Sequence, residues 1–333
     1  MHPLLQYQAD RRLGAFTSRD ALAVGYSVDD IKVALRTRRW LRLRKGVYME
    51  AARWGAADER ERHLVLAAAV LQCLAPGPVL SHASAARLNG FLVPAAAGPD
   101  VRVTATDQWR AGRGYRVARA ALPEQDVVPW VGAFLTTNPA RTLIDCAREW
   151  DQTAAVVALD AALHDGAVTR TQLRAAVHSA RHRTGASAAA RAVGLSDGRA
   201  ESPLETEGRL SVLGAGLPLP ELQVEIWDDR GLIGRVDGWY EEAAVALEFD
   251  GRIKYSDPWH GRSPGDVLWA EKRREDRLRG VGVRVVRLTR ADLGPAWTRT
   301  VSDVQRLLAE PHGGPRRFRV VRRPEPGADS DPA

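Results

Sequence analysis

The chain has 333 residues, of which 45% are hydrophobic and 27% charged, a balance typical of soluble globular proteins. At about 150 residues per domain, two or three domains are expected. Its 48 Lys and Arg residues outnumber 41 Asp and Glu, giving a net charge of +7. An arginine excess alone is weak evidence for nucleic-acid binding, so the position of the charge matters more. The two cysteines are too few for a disulfide framework or a cysteine-based zinc site.

The chain shows no signal-peptide pattern, so we expect a cytoplasmic protein. The most apolar run is LVLAAAVLQCLAPGPVL, which is rich in alanine and interrupted by prolines. It is shorter than the span of about 20 apolar residues that a bilayer requires. The run therefore predicts a core helix, and no membrane partner is expected.

The first segment predicts two helices followed by a β-hairpin. A short helix follows a cap at Thr17 or Ser18, and after a glycine break a second helix begins at Ser27, with Asp30 at the capping-box position. The stretch LRLRKGVYM predicts two strands around a Lys-Gly turn. Helix, turn, helix and hairpin are the outline of a winged helix-turn-helix, which we predict for residues 1–52.

A cluster of seven cations without an intervening acid lies where the second helix and the hairpin would meet DNA phosphates. The other interpretation is a solvated basic face that binds nothing. Because the charge coincides with the predicted fold, the sequence favours a DNA-binding surface made of Lys32, Arg36, Arg38, Arg39, Arg42, Arg44 and Lys45.

The middle of the chain, residues 53–180, is rich in alanine and is predicted to be a mostly helical region with strands at VRVTAT and YRVARA. His82 and His164 are interpreted as surface or core residues rather than ligands. Nothing in the region resembles a catalytic constellation, which indicates a packing or interaction module. Residues 181–201 are predicted to be a linker, and residues 313–333 a basic segment with a disordered tail.

Residues 202–312 show the element order α-β-β-β-α-β, followed by a last helix. The first helix has Ser202 as its cap and Pro203 at its first position. LQVEIWDDRGLIGRVDGWY predicts a hairpin, AAVALEFDG a third strand, GDVLWAEKRREDRLRGVG a helix and VRVVRLT a buried strand. This order predicts a mixed sheet flanked by helices, and hence an α+β multidomain protein.

Carboxylates concentrate on the central strands of this last domain. Glu248 lies within an apolar strand, and Asp250 follows at i+2 on the same face. Asp237 lies in the preceding strand, beside which an antiparallel partner would place Glu248. Like charges this close need a bridging cation, and oxygen ligands favour Mg²⁺ or Mn²⁺. We therefore expect Asp237 and Glu248 to hold a metal ion that could activate water against a phosphodiester.

Asp237 followed by Glu248, Phe249 and Asp250 resembles the PD-(D/E)xK nuclease core. The similarity is closer to its DUF559 branch, which is related to the very-short-patch repair endonucleases, and it covers nearly all of residues 202–293. The shared features are an acidic helix, a strand aspartate, an EFDG strand, an arginine-bearing helix and GVRVVR. The resemblance implies a restriction-endonuclease-like fold and Mg²⁺-dependent DNA cleavage, with site residues Glu205, Asp237, Glu248, Asp250 and Arg274.

The chain departs from that nuclease motif where the motif strand usually ends in lysine. Asp250 occupies the position, and Lys254, or Arg274 from the helix, could supply the missing cation. Arg274 lies on a helical stripe with Glu271, so a purely structural Glu271–Arg274 pair is the other interpretation. Lys272 points away from that stripe and is expected to be solvated.

Three of the acids also have structural interpretations. Glu205 stands three residues after Ser202 and could be the acid of a capping box, which is compatible with a site role. Asp237 could be a strand-edge or turn residue. Asp250 could simply open the turn at Gly251. Glu248, inside an apolar strand, is the hardest to explain without a site.

The N-terminal half resembles another group. The stretch from FTSRDALAVGYS to LRKGVY is similar to the winged-helix domain of AbiEi-type antitoxins of toxin–antitoxin systems. SHASAARLNG and TNPARTLIDCA are similar to the helical domain that follows it, so the resemblance covers most of residues 5–180. It implies DNA binding and autoregulation, with a cognate toxin as a partner, and it does not imply catalysis.

The sequence thus favours a DNA-binding protein with a Mg²⁺-dependent endonuclease domain. The alternative is a non-enzymatic AbiEi-like transcriptional regulator or antitoxin whose nuclease fold is degenerate. A protein-interaction scaffold ranks third. The sequence does not determine the oligomeric state.

Overall fold

The structure is a computed structural model that describes residues 1–74, 77–250 and 264–326. The chain divides into two units, and each is made of two separate stretches. The first unit contains Met1–Ala158 and Thr171–Val193, and the second contains Leu159–Arg170 and Gly194–Ala333.

The first unit begins with three helices and a small sheet. Its elements are α1 (Pro3–Asp10), β1 (Phe16–Thr17), α2 (Ser18–Ala23), α3 (Val28–Arg36), β2 (Trp40–Arg44) and β3 (Val47–Glu50). The sheet order is β1-β3-β2, with antiparallel pairing throughout. The two predicted helices and the hairpin are confirmed, whereas α1 and β1 are additions to the prediction.

Local hydrogen bonds explain where these two helices begin. At Ser27 the hydroxyl accepts from the Asp30 backbone N–H at 3.0 Å, while the Asp30 carboxylate accepts from the Ser27 N–H at 2.8 Å. Thr17 and Asp20 form the same reciprocal capping box before α2. Each box satisfies backbone donors that a helix start leaves without intrahelical partners. The glycine between the helices, Gly25, has a φ of +96°, which favours glycine at the turn.

A second sheet follows in the same unit. The helices are α4 (Ala51–Ala56), α5 (Glu59–Cys73), α6 (His82–Leu88), α7 (Pro139–Ala147), α8 (Gln152–His164), α9 (Arg170–Ser179) and α10 (Ala186–Leu195), of which α8, α9 and α10 include residues of both units. The strands are β4 (Val79–Leu80), β5 (Val101–Ala105), β6 (Arg110–Gly112), β7 (Tyr115–Arg119), β8 (Val127–Pro129) and β9 (Leu135–Thr137), with short 3₁₀ helices at Ala95–Ala97 and Glu124–Asp126.

These six strands form one sheet in the order β6-β7-β5-β4-β9-β8. The expectation of a mostly helical middle region was therefore incomplete, because only β5 and β7 were predicted. The other four strands have two or three residues each, too few to show the alternating pattern that identifies a strand. The segment predicted as a linker, residues 181–201, contains α10, whose alanine-rich sequence suits a helix.

The second unit contains a mixed five-stranded sheet in the order β13-β12-β11-β10-β14. Its further elements are α11 (Pro203–Gly214), β10 (Glu221–Asp228), β11 (Gly231–Tyr240), β12 (Val245–Phe249), α12 (Pro264–Gly280), β13 (Arg284–Leu288), α13 (Trp297–Ala309) and β14 (Arg319–Val321). β12 and β13 are parallel, and the other pairs are antiparallel. The predicted α-β-β-β-α-β order and the last helix are confirmed.

Strand β14 is an addition to the prediction for the end of the chain. Residues 313–333 were expected to be a basic segment followed by the disordered tail PEPGADSDPA, and Val320 of the basic segment pairs with Ile226 of β10 in an antiparallel ladder. Residues 327–333 lie outside the described part of the chain.

Strand β12 carries the core of the second unit, since all five of its residues are buried. Val245, Leu247 and Phe249 pack in one hydrophobic cluster with residues of α11 and α13. Ala246 packs in a second cluster with Leu278 of α12. The alternation along β12 therefore assigns its side chains to two different clusters, and Glu248 falls in the series that meets α12.

Candidate nucleic-acid interface and carboxylate cluster

The predicted DNA-binding cations lie on α3 and the hairpin that follows it. Six of the seven are exposed, and Arg44 is half-buried. Lys32 and Arg36 lie on α3, and Arg42 and Arg44 lie on β2, while the others lie in the turns after those elements. The structure thus brings the set onto one continuous helix–turn–strand segment.

Ion pairing leaves most of this surface uncompensated. Lys32 pairs with Asp29 at 2.9 Å, but both side chains are exposed, so the pair contributes little stability. Within the described residues, the remaining six cations form no ion pair. Cations that lack acidic partners and lie on a helix and the hairpin after it are suited to contact DNA phosphates.

Arg44 differs from the other cations in its surroundings. Its Nη1 donates to the carbonyl of Arg113 at 3.1 Å, and its guanidinium lies 4.8 Å from the centre of the Tyr115 ring. These contacts direct Arg44 toward the six-stranded sheet of the same unit. The exposed candidates for DNA contact are therefore Lys32, Arg36, Arg38, Arg39, Arg42 and Lys45.

Glu205 lies at the capping-box position of α11, and the Ser202 hydroxyl accepts from its backbone N–H at 3.2 Å, but its carboxylate binds groups other than the Ser202 N–H. Its carboxylate accepts from the Ser202 hydroxyl at 2.9 Å and from the Glu201 backbone N–H at 2.9 Å. Burial raises the pKa of Glu205, and the nearby Asp237 carboxylate raises it further. Glu205 and Asp237 are therefore electrostatic neighbours, as a shared site requires.

Gln223 of β10 connects these two carboxylates and was not identified from the sequence. Its Nε2 donates to Glu205 at 2.9 Å and to Asp237 at 3.3 Å. The residue is 4% exposed and has a φ of +54°, which is unusual for glutamine. A buried polar residue in the apolar run LQVEIW was the available signal, since buried amides require partners.

Asp237 also holds the main chain of the neighbouring strand. Its Oδ2 accepts from the Phe249 backbone N–H at 2.8 Å, just beyond the last paired residues of β11 and β12, Gly238 and Leu247. This bond satisfies a buried donor where the ladder ends. Asp237 therefore has a structural role at the end of the strand pairing, as one of the two interpretations expected, and its partner there is the Phe249 N–H.

Glu248 faces arginines of the second unit. Arg274 Nη2 donates to its Oε1 at 2.6 Å, and Arg287 Nε lies 3.4 Å from its Oε2. Burial raises the pKa of the Glu248 carboxyl, and the Arg274 guanidinium offsets part of that rise. Arg287 is the last residue of GVRVVR and was not predicted as a site residue; it lies on β13, directly opposite Glu248 of the parallel strand β12, which explains the contact.

Arg274 binds Glu271 as well as Glu248. Its Nε and Nη2 donate to the Glu271 carboxylate at 2.9 and 2.6 Å, so the structural pair and the contact with the strand acid coexist. Burial lowers the pKa of Arg274, but hydrogen bonds and charges of the two acids outweigh it and raise the pKa overall. Lys272 is exposed, as expected.

Asp250 follows β12, and its backbone N–H donates to the Leu288 carbonyl at 2.9 Å. Lys254, considered as the replacement for the motif lysine, lies outside the described residues. Across the described ranges, no group of three or more His, Cys, Asp or Glu side chains is arranged to hold a metal ion.

The two proposed metal ligands, Asp237 and Glu248, already bind other groups of the protein, which argues against a simple fit of a metal ion. Glu248 is bound by Arg274 and Arg287, and Asp237 by a backbone amide and Gln223, so a cation would have to displace these partners. The described geometry therefore supports a hydrogen-bonded carboxylate network, and the Mg²⁺ or Mn²⁺ site stays a prediction.

None of the described helices combines the length and apolarity needed to cross a bilayer.

The middle of the chain has an identifiable relative among protein families. Residues 47–196 match the family described as the AbiEi antitoxin C-terminal domain. Two uncharacterized proteins, from two strains of Mycobacterium tuberculosis, are each 36% identical to the chain over 178 residues. The match takes in 54% of this chain and 63% of each relative, so the chain spans less than two-thirds of their length. The AbiEi resemblance is thereby confirmed for residues 47–196.

Proposed function

We propose that the protein is a DNA-binding transcriptional regulator of the AbiEi antitoxin type, with a cognate toxin as a further partner. One observation carries this proposal. An exposed basic helix and hairpin, which ends at Glu50, lead directly into residues 47–196, which match the AbiEi antitoxin C-terminal domain. Helix α3 would enter the major groove, and the hairpin would contact the adjacent backbone.

Phosphate contacts predict a strong dependence of affinity on salt. Five contacts would give a slope of about −4.5 in a plot of log affinity against log salt concentration. Affinity for promoter DNA upstream of the gene is measured by fluorescence anisotropy at several salt concentrations. The triple variant Arg38→Glu, Arg39→Glu and Arg42→Glu should weaken binding by at least a hundredfold and flatten this slope.

A second triple variant controls for net charge. Arg174, Arg181 and Arg191 are also exposed, and they lie outside α3 and the hairpin. Reversing these three to Glu makes the same change in net charge but should alter affinity by less than threefold. Equal losses in the two triples would contradict a localised interface.

The second candidate function is Mg²⁺-dependent DNA cleavage by a PD-(D/E)xK-like second unit. The predicted element order and the grouping of Glu205 and Asp237 around Gln223 favour it. Plasmid and single-stranded DNA are incubated with Mg²⁺ or Mn²⁺ and either the intact chain or Glu248→Ala. Cleavage by the intact chain alone would establish the nuclease. No cleavage with either ion, together with salt-sensitive DNA binding, is expected for the regulator.

A further inference from the structure

A cleft of about 490 Å³ lies within the first unit, between the β2–β3 turn, the end of α5 and the strands β6 and β7. Its volume is in the range of cavities that hold small molecules. The residues that matter here are Thr17, Ser18, Arg44, Lys45, Arg110 and Tyr115.

Tyr115 organises two of the cations in this cleft. The Nε and Nη2 of Arg110 donate to the Tyr115 hydroxyl at 2.9 and 2.5 Å. Arg44 lies 4.8 Å from the centre of the same ring, and Arg110 lies 5.5 Å from it. Tyr115 is itself 7% exposed, so it is a fixed support that holds both guanidiniums beside one cleft.

The cleft is electropositive. No acidic side chain lines it in the described part of the chain, and none of Arg44, Lys45 and Arg110 forms an ion pair with a described residue. Neighbouring like charges repel each other, and an anion between them would relieve that repulsion. Planar guanidiniums beside a lysine match the oxygens of a phosphate group.

We propose that this cleft binds a small phosphate-bearing molecule, such as a nucleotide or a pyrophosphate, through Arg44, Arg110 and Lys45. A DNA backbone carries the same phosphate chemistry. The small ligand is favoured because Arg44 is held against the six-stranded sheet by Tyr115 and the Arg113 carbonyl, apart from the exposed cations of α3. This binding does not depend on the proposed regulatory function, since it is measured without DNA.

Cys73 provides a built-in reporter of occupancy. It is exposed and lines the cleft, with its Sγ 3.9 Å from the Lys45 carbonyl. The other cysteine, Cys146, is buried, and burial raises the pKa of its thiol, so it reacts slowly with alkylating reagents. The rate of alkylation by iodoacetamide therefore reports on Cys73.

The test uses inorganic pyrophosphate as the probe and the full-length chain. Pyrophosphate should bind with saturation in calorimetry and slow the alkylation of Cys73 at least fivefold. Arg110→Gln, an exposed position on β6, should weaken binding at least tenfold, and Lys45→Gln provides an independent second variant. Arg174→Gln removes an equal charge from the exposed face of α9, outside the cleft, and should leave the affinity within twofold.

Three results would overturn the proposal. The first is a Cys73 alkylation rate that millimolar pyrophosphate does not change in the folded protein. The second is an equal weakening by Arg174→Gln and Arg110→Gln, which would indicate general ionic attraction. The third is a competition result: duplex DNA protects Cys73 and displaces pyrophosphate, and Arg110→Gln weakens the binding of that DNA. This result would assign the cleft to the DNA backbone.

Discussion

Glu248 shows how a single buried charge is accommodated in this fold. The residue is 8% exposed on a fully buried strand, and two arginines from α12 and β13 approach its two oxygens. Removing one partner of a buried ion pair leaves an uncompensated charge, which costs more than the pair itself contributes. The arginines therefore stabilise a side chain that would otherwise oppose folding.

Replacing Arg274 by Met should lower the free energy of unfolding by about 2 kcal/mol, because the buried Glu248 carboxylate then loses its 2.6 Å ion pair and keeps Arg287 at 3.4 Å. Urea unfolding followed by circular dichroism measures the change. Arg306→Met makes the same chemical change at a side chain that is 70% exposed and paired with Asp303, and it should cost less than about 0.5 kcal/mol. Equal costs for the two variants would contradict the role assigned to the Glu248 ion pair.

Asp160 is a second buried carboxylate of the same unit. It accepts from the Thr206 hydroxyl at 2.8 Å, from Arg209 at 3.0 Å and from the Asp197 backbone N–H at 2.7 Å. Burial outweighs these bonds and raises the pKa of Asp160 from 3.8 to about 6. The folded protein therefore binds this proton more tightly than the unfolded chain does.

This difference predicts a specific dependence of stability on pH. As the pH rises from about 4 to about 6, the unfolded chain loses the Asp160 proton first, so the free energy of unfolding should fall. At about 1.4 kcal/mol per pKa unit, the loss is at most about 3 kcal/mol, and it should level off above the folded-state value.

Asp160→Asn removes this titrating group. As the pH rises over the same range, the unmodified chain should therefore lose stability that the Asp160→Asn variant keeps, and the difference in unfolding free energy should shift in favour of the variant. Chemical denaturation at several pH values measures it, with Asp303→Asn, whose side chain is 50% exposed, as the control. A difference that stays constant with pH would show that burial does not raise the pKa of Asp160.

At the scale of elements, β14 and the segment before it close the second sheet. Phe318 makes an edge-to-face contact with Trp239, with ring centres 5.7 Å apart, and Val320 packs on the same cluster. Arginines flank this apolar pair, and Arg322 and Arg323 bind Glu221 and Glu225 of β10. Packing and charge therefore act together to hold the strand.

Phe318→Ala should lower the free energy of unfolding of the second unit by about 2 kcal/mol, less than for a fully buried aromatic because Phe318 is half-buried. Arg299→Ala, a truncation at an exposed position of α13, should change it by less than about 0.5 kcal/mol. Thermal and urea unfolding of both variants provide the measurement. A Phe318→Ala variant as stable as Arg299→Ala would mean that the segment contributes nothing to the sheet.

Elements were predictable in proportion to their length and local signals. Strands β10 to β13 have five to ten residues, and each was found from its apolar pattern. Strand β14 has three residues within a run of arginines, so the sequence predicted a basic segment without a strand. Its order depends on acids of β10 and of the turn after β11 that lie some 80 to 100 residues earlier in the chain.

At the scale of the whole molecule, the position of the arginines carries more information than the net charge of +7. Arginines near the end of the chain bind Glu221, Glu225 and Glu241, whereas five cations of α3 and its hairpin are exposed without a described acid partner. Two basic segments of similar composition thus have different consequences. The second stabilises a sheet, and the first is the proposed surface for DNA.

The sequence by itself determined the helix starts and the element order of the second unit. The capping box at Ser27–Asp30 and the Ser202 cap, which accepts from the Glu205 N–H, join residues three positions apart, so their hydrogen bonds are readable from spacing alone. Only the tertiary structure decided the partners of Glu248 and Asp237 and the existence of the six-stranded sheet. Arg274 lies 26 residues after Glu248, and Gln223 lies 14 before Asp237. Such contacts depend on how strands and helices pack, because no local pattern specifies which distant side chain fills a buried site.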